Sequence, residues 1–185
     1  PDLKQPGTSR TLHGHASLQP TWAPPPESYS PLLVYSWQQT AQALSATRDQ
    51  EGSAFDGIAL EYVHPQTGGS VIPSMACWIQ LIRPGERLTA HRHTSSAVYY
   101  VVQGQGTTII DGQAFHWTRG DFIALPAWAM HEHANTGDQD AILFSIQDTP
   151  LLSAMSLLRE EPMTANGGHQ EVTSTFKIDD HLAAV

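Results

Sequence analysis

From Gly57 to Gln147 the apolar and β-branched residues gather in short runs separated by Gly, Pro, Asn and Asp. The runs are Ala76–Ile82, Ala97–Gln103, Thr107–Ile110, Gln113–Trp117, Asp121–Leu125 and Ala141–Gln147. Runs of this length between turn residues predict strands. Gly104-Gln105-Gly106 predicts a turn, and Asp111-Gly112 predicts a tight hairpin. Many short strands with regular turns imply an all-β sandwich, jelly roll or barrel. Two flanking segments follow the helical period instead. Ser36 precedes Trp37, Ala41 and Leu44, an N-cap followed by apolar positions at i, i+4 and i+7. Thr149-Pro150 opens a second helical pattern running to Leu158, with Pro at its first position. The chain therefore divides into a proline-rich arm over 1–35, a short helical segment over 36–56, a barrel with its C-terminal helix over 57–160, and a weakly patterned polar tail over 161–185.

Composition narrows the function. A hydrophobic content of 40% in 185 residues suffices for one well-buried core. A formal charge of −9 with no basic stretch excludes a nucleic-acid or anionic-membrane surface. No apolar run approaches a membrane span. The single Cys77 permits no internal disulfide and fits a reducing, cytoplasmic setting. Residue 1 is Pro, so the chain is expected to be a processed form or part of a longer one.

The histidines carry the chemistry. His91 and His93 are two apart, and side chains two apart on a strand share a face, so both aim inward while Arg92 faces out. His131 follows on a separate run, with His133 two residues beyond it on the same face if that strand continues. Three neutral imidazoles make a metal centre that keeps positions open for chemistry. Mn, Ni, Co, Zn and Fe all accept such ligands, so spacing alone does not choose the metal. His13, His15, His64, His116, His169 and His181 lack companions at ligand spacing and read as structural or solvated.

Gly85, His91, His93 and Gly104, with Gly120, Pro126, His131 and Asn135, resemble the two motifs of the cupin superfamily, a double-stranded β-helix or jelly-roll barrel. Within it, Tyr62-Val-His-Pro-Gln-Thr67, Arg83-Pro-Gly-Glu-Arg87, His91-Arg-His-Thr-Ser-Ser-Ala97, Trp128-Ala-Met-His131-Glu-His133-Ala-Asn135 and Asp148-Thr-Pro150 resemble the gentisate 1,2-dioxygenase family over about residues 32–161. The resemblance implies an all-β cupin barrel with short flanking helices and Fe(II) on His91, His93 and His131. The glutamate usual in the first cupin motif is replaced by Ala97 or Val98, in keeping with that family's ligand set.

The implied activity is oxygen insertion into the ring of a small hydroxybenzoate of gentisate or salicylate type, in a homo-oligomer of two-barrel chains. His133, Tyr99 and Gln80 are the candidate catalytic residues, and Trp78, Trp128 and Arg83 the candidate substrate pocket. Leu143-Phe-Ser145 and Arg159-Glu-Glu161 look more like the second barrel of such a chain than the first. Tyr99 stands where the first barrel has an arginine, Ser145 where it has an aspartate, and Trp78 where it has a small residue. The alternative is therefore a non-catalytic, metal-binding or structural half of a two-barrel protein, with its first barrel elsewhere.

Overall fold

A computed structural model describes residues 34–65 and 67–177. The proline-rich arm up to residue 33, Trp22 within it, and the last eight residues, 178–185, lie outside the described residues, as do His13, His15 and His181. Eleven strands form two sheets: β1 (Ile58–Glu61), β2 (Ala76–Ile82), β3 (His91–His93), β4 (Ala97–Gln103), β5 (Gln105–Ile110), β6 (Gln113–Thr118), β7 (Phe122–Leu125), β8 (His131–Asn135), β9 (Ala141–Gln147), β10 (Glu160–Pro162) and β11 (Ser174–Thr175). One sheet has the order β1-β2-β9-β4-β7, the other β10-β3-β8-β5-β6-β11. All pairings are antiparallel except β11 with β6. This is the cupin jelly roll.

Alternation sorts each strand into two faces. Ile82 of β2, Tyr99 and Val101 of β4, Trp117 of β6, Ile123 and Leu125 of β7 and Leu143 of β9 meet between the sheets, with Leu88 and Ala129 from loops. The other face of β2 and β9 carries Ile79, Leu81 and Ile142. There α1 (Trp37–Thr47) lays Leu44 against them, together with Ile58. Ser36 caps that helix, its Oγ accepting from Gln39 N at 3.2 Å. The buried positions of α1 are Thr40 and Leu44, and Trp37 stays half exposed.

Local chemistry sets the turns. Asp111 (φ 47°) and Gly112 (φ 81°) make the two-residue hairpin between β5 and β6, both in the left-handed region that a primed turn requires. Gly104 alone makes the preceding turn, so β5 starts at Gln105 rather than at Thr107. Gly106 then faces Trp117 across the ladder. A Cβ there would lie 2.5 Å from the Trp117 ring and collide with the Ala134 carbonyl oxygen.

Two expectations change. The second helix, α2 (Thr149–Ala154), ends well before Leu158 because Ser156 turns the chain at φ 58° and the helix buries no residue. Its would-be cap Asp148 instead accepts from Ser96 N at 2.8 Å. The segment from Glu161 on, read as a weakly patterned tail, supplies most of β10 and all of β11, the two outer strands of the six-stranded sheet. Glu161 pairs with Arg92 there at 2.6 Å, and such pairing depends on neighbours remote in sequence.

Replacing Gly106 by Ala is expected to destabilise the protein by about 1–3 kcal/mol, the usual range for overpacking. Urea unfolding of the variant against the wild type measures it, and an unchanged midpoint would contradict the described contact of Trp117 with Gly106.

Candidate metal centre

His91 on β3 and His131 on β8 are directly opposed across the ladder. His93 lies two residues along on the same face as His91. One ring nitrogen from each of the three lies within 4.8 Å of the others. Ring centroids are 4.3 Å apart for His91–His131 and 4.8 Å for His93–His131.

Hydrogen bonds decide which nitrogen His93 and His131 offer. His93 Nδ1 donates to the Ser95 carbonyl at 2.8 Å and His131 Nδ1 to the Ala129 carbonyl at 3.1 Å. A carbonyl only accepts, so the proton sits on Nδ1 in both rings and Nε2 keeps its lone pair. His131 Nε2 is buried with no partner, as are His91 Nδ1, His133 Nε2, Gln80 Nε2 and Trp78 Nε1. Burial followed by the neighbouring imidazoles holds His91 and His131 down to about 3. The rings are thus neutral at physiological pH, the state a metal ligand needs. A buried, unpartnered His131 Nε2, in a trio of rings at ligand spacing, fits a divalent cation. The all-nitrogen donor set suits iron as well as zinc, copper or nickel.

A cavity of about 60 Å³ opens beside the triad, lined by Trp78, Tyr99, Asp56, Ser95, Leu158 and Glu160 among others. Its acids stand out. Glu160 Oε1 lies 3.9 Å from His91 Nε2, and burial followed by Glu160 raises the Asp56 carboxyl above its ordinary range. Among the described residues no lysine or arginine lines it. Tyr99 is buried and its hydroxyl is pushed well above the ordinary tyrosine range, first by burial and then by Asp56, so it stays protonated. Its ring packs edge-on against His133 at 4.8 Å. His133, buried on β8, is lowered to about 3 by burial and then by His131. Gln80 lies on the inward face of β2 with 1% of its surface exposed.

The structure brings Trp78 and Tyr99 to the cavity, His133 against Tyr99, and Gln80 to the barrel interior. It places two of the expected pocket residues elsewhere. Arg83 turns back on the loop after α1, donating to the carbonyls of Arg48 and Gln50 and pairing with Glu86 at 3.0 Å. A guanidinium so engaged has no fork left for a substrate carboxylate. Trp128 lies on the outer side with Arg92 over its ring at 4.5 Å, because Arg92 alternates outward between two inward histidines. Its φ of 66° is held by its N–H, which donates to the His93 carbonyl at 2.8 Å. His116 is bonded to Thr107, and His169 pairs with Glu132 at 2.8 Å. Asp56, Ser95 and Glu160 were not foreseen. Only Ser95, two residues from His93, carried any signal in the sequence.

Residues 78–147 match the family described as the cupin domain. The chain is 43% identical over 157 residues to 5-aminosalicylate 1,2-dioxygenase of Comamonas sp., covering 84% of the chain and 41% of that protein. It is 38% identical over 146 residues to 1-hydroxy-2-naphthoate 1,2-dioxygenase of Nocardioides sp. (strain KP7), covering 78% and 38%. Among solved structures, a variant of salicylate 1,2-dioxygenase from Pseudoaminobacter salicylatoxidans in complex with gentisate superposes with a TM-score of 0.72 at 26% identity. That match covers 86% of this chain and 46% of the other. The chain thus spans less than half the length of these relatives.

Replacing His91 by Ala is expected to lower bound metal, measured by elemental analysis after loading with Fe(II); unchanged content would remove His91 from the ligand set. Acid should also weaken the metal-free fold. With folded values near 3 for His91, His131 and His133 against 6.5 unfolded, the unfolded chain binds more protons between those limits. Stability contributed above pH 6.5 is therefore lost as pH falls towards 3. Urea unfolding at pH 7 and pH 5 should show that loss, and a smaller one in His131→Asn.

Proposed function

We propose that this chain, which belongs to the cupin superfamily, is a ring-cleaving dioxygenase domain acting on a hydroxybenzoate. The observation that carries the reading is the trio of imidazoles at ligand spacing, His91 and His131 buried and His93 half-buried, in a chain 43% identical to an aminosalicylate dioxygenase over most of its own length. His91, His93 and His131 would hold Fe(II). Iron so held supplies the one-electron chemistry that joins an electron-rich ring to O2. Three neutral ligands leave the ion its full charge, which favours a dianionic chelator such as a carboxylate with an ortho phenolate. That matters because Asp56 and Glu160 make the rest of the cavity acidic.

The chain's own groups would then orient and enclose the substrate. Tyr99, kept protonated by burial, offers a hydroxyl hydrogen towards the cavity. Gln80 Nε2 and His133 Nε2 are buried polar atoms awaiting a partner on the barrel interior. Trp78 and Leu158 form apolar wall that excludes water from the reacting ring. The lone Cys77 supports a reducing compartment, and we extend the reading to a cytoplasmic, homo-oligomeric protein in aromatic-acid breakdown. Among the described residues no helix is long and apolar enough to cross a membrane.

One observation favours a second reading, in which this barrel binds metal without turnover and serves as half of a larger enzyme. Trp78 and Tyr99 leave about 60 Å³ beside the triad, whereas an engineered cavity of about 150 Å³ holds benzene. The test is anaerobic loading with Fe(II), then air and gentisate, salicylate or 5-aminosalicylate, followed by absorbance of the ring-opened product. Turnover is expected, and Trp78→Gly should raise it by opening the cavity. Iron at one per chain with no product from either protein would establish the second reading.

A further inference from the structure

His133 differs from the ligand histidines in one respect. His93 and His131 give their Nδ1 protons to backbone carbonyls, which can only accept. His93 Nδ1 also meets the Ser95 hydroxyl at 2.8 Å, but its carbonyl contact keeps the proton on Nδ1, whereas His133 Nδ1 meets a hydroxyl and no carbonyl: Thr108 Oγ1, at 2.8 Å. Thr108 is opposite His133 in the β5–β8 ladder and is completely buried. Its Oγ1 also takes the indole N–H of Trp117 at 3.0 Å. An indole nitrogen is a donor only, so Thr108 must be the acceptor in that bond.

We infer that the Thr108–Trp117 pair fixes His133 as the Nε2–H tautomer, making it a hydrogen-bond donor to a ligand oxygen rather than a base. A threonine hydroxyl has one hydrogen and two acceptor sites. If His133 carried its proton on Nδ1, Thr108 would accept from both rings and its own hydrogen would be left buried, with no other side-chain bond to Thr108 among the described residues. With the proton on Nε2, Thr108 accepts from Trp117 and donates to Nδ1, and all three groups are satisfied. The partner of Nδ1 thus determines what Nε2 presents: lone pairs on His93 and His131, a hydrogen on His133. His133 Nε2 is buried and has no protein partner, so that hydrogen is directed at whatever the barrel encloses. An oxygen-bearing group, a phenolate or a carboxylate, is the chemistry it fits.

Gly106 belongs to the same device. Its missing Cβ lets the Trp117 ring lie across β5, where the indole reaches Thr108. Thr108 and Trp117 are therefore positioning residues that act through His133. The tautomer stands apart from the proposed catalysis, whereas the donor role towards substrate rests on it.

The test is long-range ¹H–¹⁵N correlation on the full chain labelled in its histidine rings and loaded with diamagnetic Zn(II), with His133 assigned by its loss in His133→Asn. The Nε2–H pattern is expected in the wild type, and an Nδ1–H pattern overturns the inference. Thr108→Val should move His133 towards Nδ1–H and Thr108→Ser should restore Nε2–H; an unmoved tautomer in Thr108→Val also overturns it. Should Thr108→Val not fold, the wild-type spectrum and Trp117→Phe, which frees Thr108 to accept from His133, decide the matter in the same way. In protein that turns over, Thr108→Val should lower kcat/KM by about tenfold, the worth of one hydrogen bond, at unchanged metal content. The expected tautomer without turnover in any protein would count against the dioxygenase reading and leave the tautomer assignment in place.

Discussion

Three imidazoles packed against one another, two of them buried and one half-buried, are the constraint on which the structure depends. The rings of His93 and His131 are each satisfied on one nitrogen by a nearby carbonyl. Together the three rings bring one nitrogen each within 4.8 Å of the others, and His131 Nε2 is buried with no partner among the described residues. Buried acceptors of this kind are costly unless something positive stands between them. The barrel holds them there through one register, His91 opposite His131, and through the period of two that brings His93 to the same face. Trp128 N–H, bonded to the His93 carbonyl, ties the loop before β8 to β3 and so helps keep the third ligand's strand in place.

The outward face of β8 solves a different problem. Glu132, between two inward histidines, is fully buried although it points away from the cavity. Arg87 at 2.6 Å, His169 at 2.8 Å and the Gln170 backbone N–H at 3.1 Å surround its carboxylate. A buried carboxylate is tolerated when its charge is matched and its lone pairs are occupied. Arg87 and the segment between β10 and β11 together perform that service. The residues after Arg159 are therefore part of the site's support.

Charge distribution in the cavity points the same way. A protein of net charge −9, with Asp56 and Glu160 beside the triad, repels an anionic ligand. A cation on His91, His93 and His131 would be the local positive charge, which under the proposed function makes metal loading the condition for admitting an aromatic acid. Neutral donors (the Tyr99 hydroxyl, Gln80 and His133) can orient such a ligand without adding charge. The narrowness imposed by Trp78 sets the competing limit on what can enter.

Periodicity made much of this legible. The alternation of strand side chains placed His91 with His93 and turned Arg92 outward, Asp111-Gly112 declared its hairpin, and Ser36 declared its cap, because each depends on neighbours a few residues away. Motif spacing in the same way indicated the fold and the three histidines that converge in it. What depended on distant neighbours was not legible. Arg83 looked like a free guanidinium until Glu86 and the loop after α1 closed on it. Trp128 looked like a pocket wall until Arg92 was found stacked on its outer face. The strands β10 and β11 carry too little pattern to announce themselves, since pairing partners rather than their own side chains define them. The bonds from Thr108 to His133 and Trp117 join three strands, and only tertiary structure decides which hydroxyl meets which ring nitrogen. Local sequence determines where a side chain points; the identity of what it meets there is settled by packing.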